Sequence, residues 1–170
     1  MSTLILVSRI VHIGLGVFWA GSLVFMAVFL EPSVRGAGPD GAKVMQQLMK
    51  RNLLNVMPVV ALLTIISGIM LYWKIDSSFR LWMSSAYHFA LAAGGVIAIV
   101  AFVIGVFIMR PAVLRAGAIA QAAMQLPEGA EREGKMAAVM ALRRRSAVAG
   151  RVVAALLSIT VITMAVARYV

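Results

Sequence analysis

"LLNVMPVVALLTIISGIMLYW", residues 53–73, is the stretch on which the fold turns, because it runs without a single charged side chain. A hydrocarbon core ~30 Å thick is crossed by ~20 helical residues, so this run is long enough to span it. In lipid every backbone N–H and C=O must find an internal partner, which leaves helices or closed barrels. No alternation of apolar and polar residues appears, so the run reads as a helix despite Pro58.

Three further runs, at about 4–30, 84–109 and 147–169, have the same character. Away from their ends, only Arg9, His12, His88 and Arg151 interrupt them. The 170 residues are 62% hydrophobic and 13% charged, with a mean hydropathy of +0.97. Soluble domains sit near ~45–50% apolar and ~25% charged. The expected fold is therefore an all-α integral membrane four-helix bundle, up-down in topology, as a single transmembrane domain. The first run lacks a basic segment before it and exceeds the ~7–15 residues of a signal-peptide core, so it reads as a retained span.

The connections differ in kind. In 31–52, Pro32 and "GPDG" are expected to break the chain, with Asp40 capping a short amphipathic helix. Residues 74–83 form a short turn. Residues 110–146, with "LPEG" in the middle, read as a helical hairpin extending spans three and four. No internal repeat stands out.

The net charge is +10, and the charges gather between the apolar runs. No basic stretch is interleaved with exposed aromatics, so a nucleic-acid partner is not expected. Arg35, Lys43, Lys50, Arg51, Arg110, Arg115, Arg132, Lys135, Arg143, Arg144, Arg145 and Arg151 fall on one side. Arg9, Lys74, Arg80 and Arg168 fall on the other. The positive-inside rule places the first group in the cytoplasm and both termini in the periplasm of a bacterial inner membrane. Tyr72, Trp73, Trp82, Tyr87 and Tyr169 then form an aromatic belt at the outer interface.

There is no cysteine, which excludes disulfides, iron–sulfur clusters and thiolate sites. The candidate ligands are the two histidines, His12 and His88. Counted from the inner ends of their spans, they lie at depths of roughly 27 and 32 Å, at 1.5 Å per residue. Spans one and three are diagonal neighbours in an up-down bundle, and bundles build cofactor sites between facing helices. Two imidazoles at one level suit the axial positions of a haem iron. Gly16, Ala92 and Gly95 are small residues one or two turns below them, Trp19 is a candidate wall, and Arg9 and Arg80 are candidate partners for propionates. The competing reading makes the histidines interfacial and the small residues a packing face.

Other chemistry is weaker. Met45 with Met49, and Met136 with Met140, are spaced one turn apart and invite a copper reading, although methionine is also a common core filler. "GLGVFWAG" lies inside a span with no preceding strand, so it is not a phosphate loop. Glu31 and Arg35 read as an interfacial ion pair.

"His12-x6-Trp19-x-Gly21" resembles the first-helix motif of CopD-like copper-resistance membrane proteins and of HemJ-type protoporphyrinogen oxidases, which bind haem b. "MQQLMKRNLLNVMPVVALLTIISGIMLYW" is similar to the second helix and its lead-in in that group. "RPAVLR" and "MAVARYV" resemble segments of four-span bacterial proteins of the same outline. The resemblance implies a haem ligand at His12. His88 rests on depth alone. Where HemJ-type proteins carry a proline–arginine pair, this chain has "GSLVFMAVFLEP", so porphyrinogen oxidation is not implied. Three functions follow as expectations: a haem-b protein of membrane electron transfer or redox chemistry, an accessory subunit of a larger membrane complex or homo-oligomer, and a copper-transport-related protein. Whether the chain is an enzyme stays open.

Overall fold

A computed structural model describes residues 3–75 and 83–170, and every regular element among them is helical. α1 (Thr3–Phe25) passes through a π-helical turn (Met26–Leu30) into α2 (Glu31–Gly36). α3 (Gly38–Lys50) leads to α4 (Leu53–Ile75). α5 (Ala86–Ile104) passes through a second π-helical turn (Gly105–Met109) into α6 (Arg110–Met124). α7 (Ala130–Val166) ends in a 3-10 turn (Ala167–Tyr169). Four stretches are long and apolar enough to cross a membrane: Thr3–Gly36, Leu53–Ile75, Ala86–Met124 and Ala130–Tyr169.

Proline does not break the chain at Pro32. A proline in a helix lacks an N–H and clashes with the carbonyl four residues back. The π-helical turn just before it is wider, with the Glu31 N–H reaching the Met26 carbonyl, so the helix continues past Pro32. Span three repeats the device: the Arg110 N–H reaches the Gly105 carbonyl, and Pro111 follows.

Pro58 in α4 is handled differently. Its missing N–H would have served the Leu54 carbonyl. Arg110 Nε donates to that carbonyl at 3.3 Å, and Arg110 Nη2 donates to Asn55 Oδ1 at 3.0 Å. A residue expected only to orient the chain thus completes the backbone of span two.

The "GPDG" turn is tight rather than capped. Gly38 has φ +58°, and a Cβ on Gly41 would collide with the Val34 carbonyl. Asp40 makes no cap and instead lies in the first turn of α3, paired with Lys43 at 2.7 Å. A carboxylate there also faces the positive end of the helix dipole.

α1 packs on α4 and α7, and α5 packs on the same two helices from the other side. Spans one and three are therefore diagonal. The core is small and drawn from all four: Trp19, Ala20 and Leu23, then Ala61, then Ala98 and Ala101, then Val153 and Leu157. Trp19, 5% exposed, is the one bulky ring, and alanines of α4 and α5 make room for it. The large aliphatic and aromatic side chains point outward, with Val17 at 68% and Phe107 at 69% exposure. Small residues inside and large apolar ones outside are what lipid as solvent requires.

α6 lies along α7 and buries Ala112, Ala116 and Ala123. α7 has 37 residues, so at 1.5 Å each it is roughly 55 Å long and exceeds the hydrocarbon core by nearly its thickness. Arg132–Glu128 (3.6 Å) and Lys135–Glu131 (3.0 Å) pair near the hairpin tip. Arg143, Arg144 and Arg145 are exposed and make no ion pair among the described residues.

Candidate functional site

The site builds from one stripe of α1. Ser8, His12, Trp19 and Leu23 recur at steps of four, seven and four residues, and all but the half-buried His12 are buried. The stripe meets a second stripe of small residues on α4: Ala61, Thr64, Ser67 and Gly68. A Cβ on Gly16 would touch Thr64 Cγ2 at 3.4 Å, while one on Gly68 would meet His12 Cε1 at 2.7 Å. Moving four residues back along α1 thus moves four forward along α4, which is antiparallel packing.

Gly68 is a notch cut for the imidazole. The ring is held there by a bond of 2.8 Å between Nδ1 and the Thr64 carbonyl. A carbonyl only accepts, so Nδ1 carries the proton and, in the neutral ring, Nε2 holds the free lone pair. Ligating histidines are oriented in this way, with one nitrogen donating to a carbonyl and the other turned to the metal. Nε2 of His12 has no hydrogen-bond partner among the described residues.

The frame beneath it is rigid. Thr64 Oγ1 donates to the Val60 carbonyl at 2.9 Å, and Ser67 Oγ donates to the Leu63 carbonyl at 2.7 Å and the Thr64 carbonyl at 3.0 Å. These polar side chains return their hydroxyls to carbonyls of their own helix, and the Thr64 carbonyl accepts from both Ser67 Oγ and His12 Nδ1.

His88 has different company. It is the third residue of α5, half-buried, with Nδ1 at 2.7 Å from Ser85 Oγ and 3.3 Å from Ser84 Oγ. Ser85 Oγ also accepts the His88 backbone N–H at 3.3 Å, which makes it the helix cap. The Tyr87 ring stands edge-on to the imidazole at 5.3 Å. The buried stripe of α5 is Ala90, Gly94, Ala98 and Ala101. At about 100° per residue, the midline of that stripe lies about 125° around the helix from His88, about 165° from Ala92 and about 105° from Gly95.

Gly16 packs on Thr64, and Trp19 fills the bundle centre. Gly95 faces open space, whereas Gly94 is the close-packed glycine: Met164 lies 3.0 Å from where a Cβ would stand, and the Gly94 carbonyl accepts from Thr160 Oγ1 at 3.3 Å. Arg9 is exposed in the second turn of α1. Arg80 and Trp82 lie outside the described residues. Met136 and Met140 are exposed, and Met45 and Met49 half-buried. Glu31 and Arg35 form the expected one-turn pair at 2.6 Å.

The structure therefore joins His12 to span two and His88 to its own helix start. Thr64 and Gly68, absent from the sequence-based site, are the residues that position His12. Their signal was the spacing of Ala61, Thr64, Ser67 and Gly68 within an otherwise bulky span. Among the described residues no group of three His, Cys, Asp or Glu side chains could hold a metal ion. No protein-family model, curated protein or solved structure matches the chain.

Proposed function

We propose that this four-span membrane protein holds a haem b through His12 and serves membrane electron transfer or redox chemistry. The observation that carries the reading is the His12 imidazole, seated in the Gly68 notch with Nδ1 on the Thr64 carbonyl and Nε2 free. A bare metal ion needs three or more protein ligands, whereas a porphyrin brings four nitrogens of its own and asks the chain for one or two imidazoles. A single well-oriented histidine therefore fits the haem better than a copper or zinc ion.

Bound haem supplies one-electron chemistry. The chain's part is to fix the tautomer and direction of His12 and to keep water from the inner side through the Trp19 core. Arg9, three residues before His12, is the cation placed to meet a propionate. Trp19 and Gly16 are taken up in helix packing, so the fit rests on His12 and Arg9 rather than on a slot between spans one and three. His88 as second ligand would use Nε2, with Nδ1 kept on the Ser85 hydroxyl. In this reading the bundle runs up and down with both termini in the periplasm of a bacterial inner membrane, as the distribution of Lys and Arg directs.

The test is the visible spectrum of the full-length protein produced with ample haem. A Soret band is expected in the wild type and lost in His12→Ala. A low-spin spectrum that becomes high-spin in His88→Ala would add His88 as the second ligand. A colourless wild-type protein sinks the haem reading.

A second reading, an accessory subunit of a larger membrane complex, is favoured by a separate observation. α7 is roughly 55 Å long, well beyond a bilayer core, and carries Arg143, Arg144 and Arg145 exposed and without ion-pair partners among the described residues. Co-purification of an acidic membrane partner that is lost on neutralising these three arginines would support it.

A further inference from the structure

A groove of about 370 Å³ opens where the first span ends, lined by Ala27, Glu31, Pro32, Arg35 and Gly36 on one side and by Arg151 of α7 on the other. Two guanidinium groups share it with one carboxylate. Arg35 Nη2 donates to Glu31 Oε1 at 2.6 Å, which steadies the side chain but uses only one of its five N–H donors. Arg151 donates from Nε to the Ala147 carbonyl over a long 3.4 Å and makes no ion pair among the described residues. The groove therefore keeps one uncompensated positive charge and a surplus of planar donors.

Its setting selects the anion. The floor, Ala27 and Pro32, continues into the lipid-facing Val28 and Phe29, exposed by 55% and 61%. Arg144 lies seven residues before Arg151, two turns further out on the same face of α7, roughly 10 Å away. Arginine forks match phosphate oxygens, and basic pockets between spans take up anionic headgroups. A phosphate monoanion satisfies the donors, and an apolar floor leading into the lipid-facing surface suits attached acyl chains better than free phosphate. We propose that this groove binds the headgroup of an anionic phospholipid, with Arg35 and Arg151 donating to the phosphodiester. The proposal is independent of His12.

Native mass spectrometry of the full-length protein in detergent tests it, with phosphatidylglycerol, phosphatidylcholine or inorganic phosphate added. The wild type is expected to retain phosphatidylglycerol in preference to the other two. Arg35→Gln and Arg151→Gln should each weaken retention about fivefold, since one cation near the surface is worth ~1 kcal/mol. Arg143→Gln/Arg145→Gln removes two charges, one more than either groove variant, from outside the groove and should leave retention within about twofold of wild type. Equal retention of phosphatidylcholine, or an equal loss in the Arg143/Arg145 variant, would overturn the site. Displacement of the lipid by millimolar inorganic phosphate would overturn the lipid assignment in favour of soluble phosphate. Circular dichroism of each variant checks that its helices persist. If either glutamine variant loses its fold, Arg35→Lys/Arg151→Lys replaces it: retaining charge but not the fork, it should bind more weakly than wild type, and wild-type retention would overturn the proposal.

Discussion

At the scale of single residues, two contacts decide how the spans meet. Gly68 leaves a space that only hydrogen can fill, because His12 Cε1 lies 2.7 Å from where a Cβ would stand. Gly68→Ala is expected to push the imidazole off the Thr64 carbonyl and destabilise the protein by about 1 kcal/mol, in line with overpacking and the modest worth of interhelical polar bonds in membranes. His12→Ala in the same chain should remove most of that cost, which thermal melts of the four species in detergent would show. Arg110 and Pro58 make a second coupled pair. Arg110→Leu leaves the Leu54 carbonyl unserved and should cost about 1 kcal/mol. With Pro58→Ala the helix regains its own N–H at that position, so Arg110→Leu should then cost measurably less. Additive losses in this cycle would show that Arg110 does not serve the carbonyl. Both contacts hid from sequence reasoning for the same reason. Which face of one span meets which face of another depends on packing between distant residues, and an arginine beside a span reads first as an orienting charge.

At the scale of elements, span lengths were legible because uncharged runs of sufficient length have one stable state in lipid. The run at 53–73 became Leu53–Ile75 almost unchanged. Pro32 reads as a break in the sequence but is not one, because its effect depends on the turn before it, and a π-helical turn has no compositional signature. The helix pair α5–α7 offers a clean test of which glycine matters. Gly94 lies against Met164 and the Thr160 carbonyl, whereas Gly95 has open space around it. Gly94→Leu should destabilise the protein by about 1–3 kcal/mol, as overpacked sites do. Gly95→Leu should be tolerated in the same melting measurement. A larger loss at Gly95 would mean that its face is covered, as a porphyrin or a further helix would cover it.

At the scale of the whole molecule, the charge distribution carries one prediction and the hairpin another. Both termini should be periplasmic, so a reporter active only in the cytoplasm should be silent when fused after Val170. Activity from that fusion would invert the bundle and place the lone imidazole of span one near the cytoplasm. The α6–α7 hairpin should be cut by a protease added to inverted vesicles and protected in right-side-out ones, because its tip at 125–129 projects from the basic side.

The hydrogen bond from Arg110 to the Leu54 carbonyl also sets an order of events during synthesis. Span two leaves the ribosome before Arg110 exists, and its proline has already stripped one carbonyl of an internal partner. Until the third span is made, water must serve that carbonyl, which tethers this end of the second span to the aqueous boundary. Arrival of Arg110 supplies the missing donor, so the second helix is expected to settle fully only once the third has joined it.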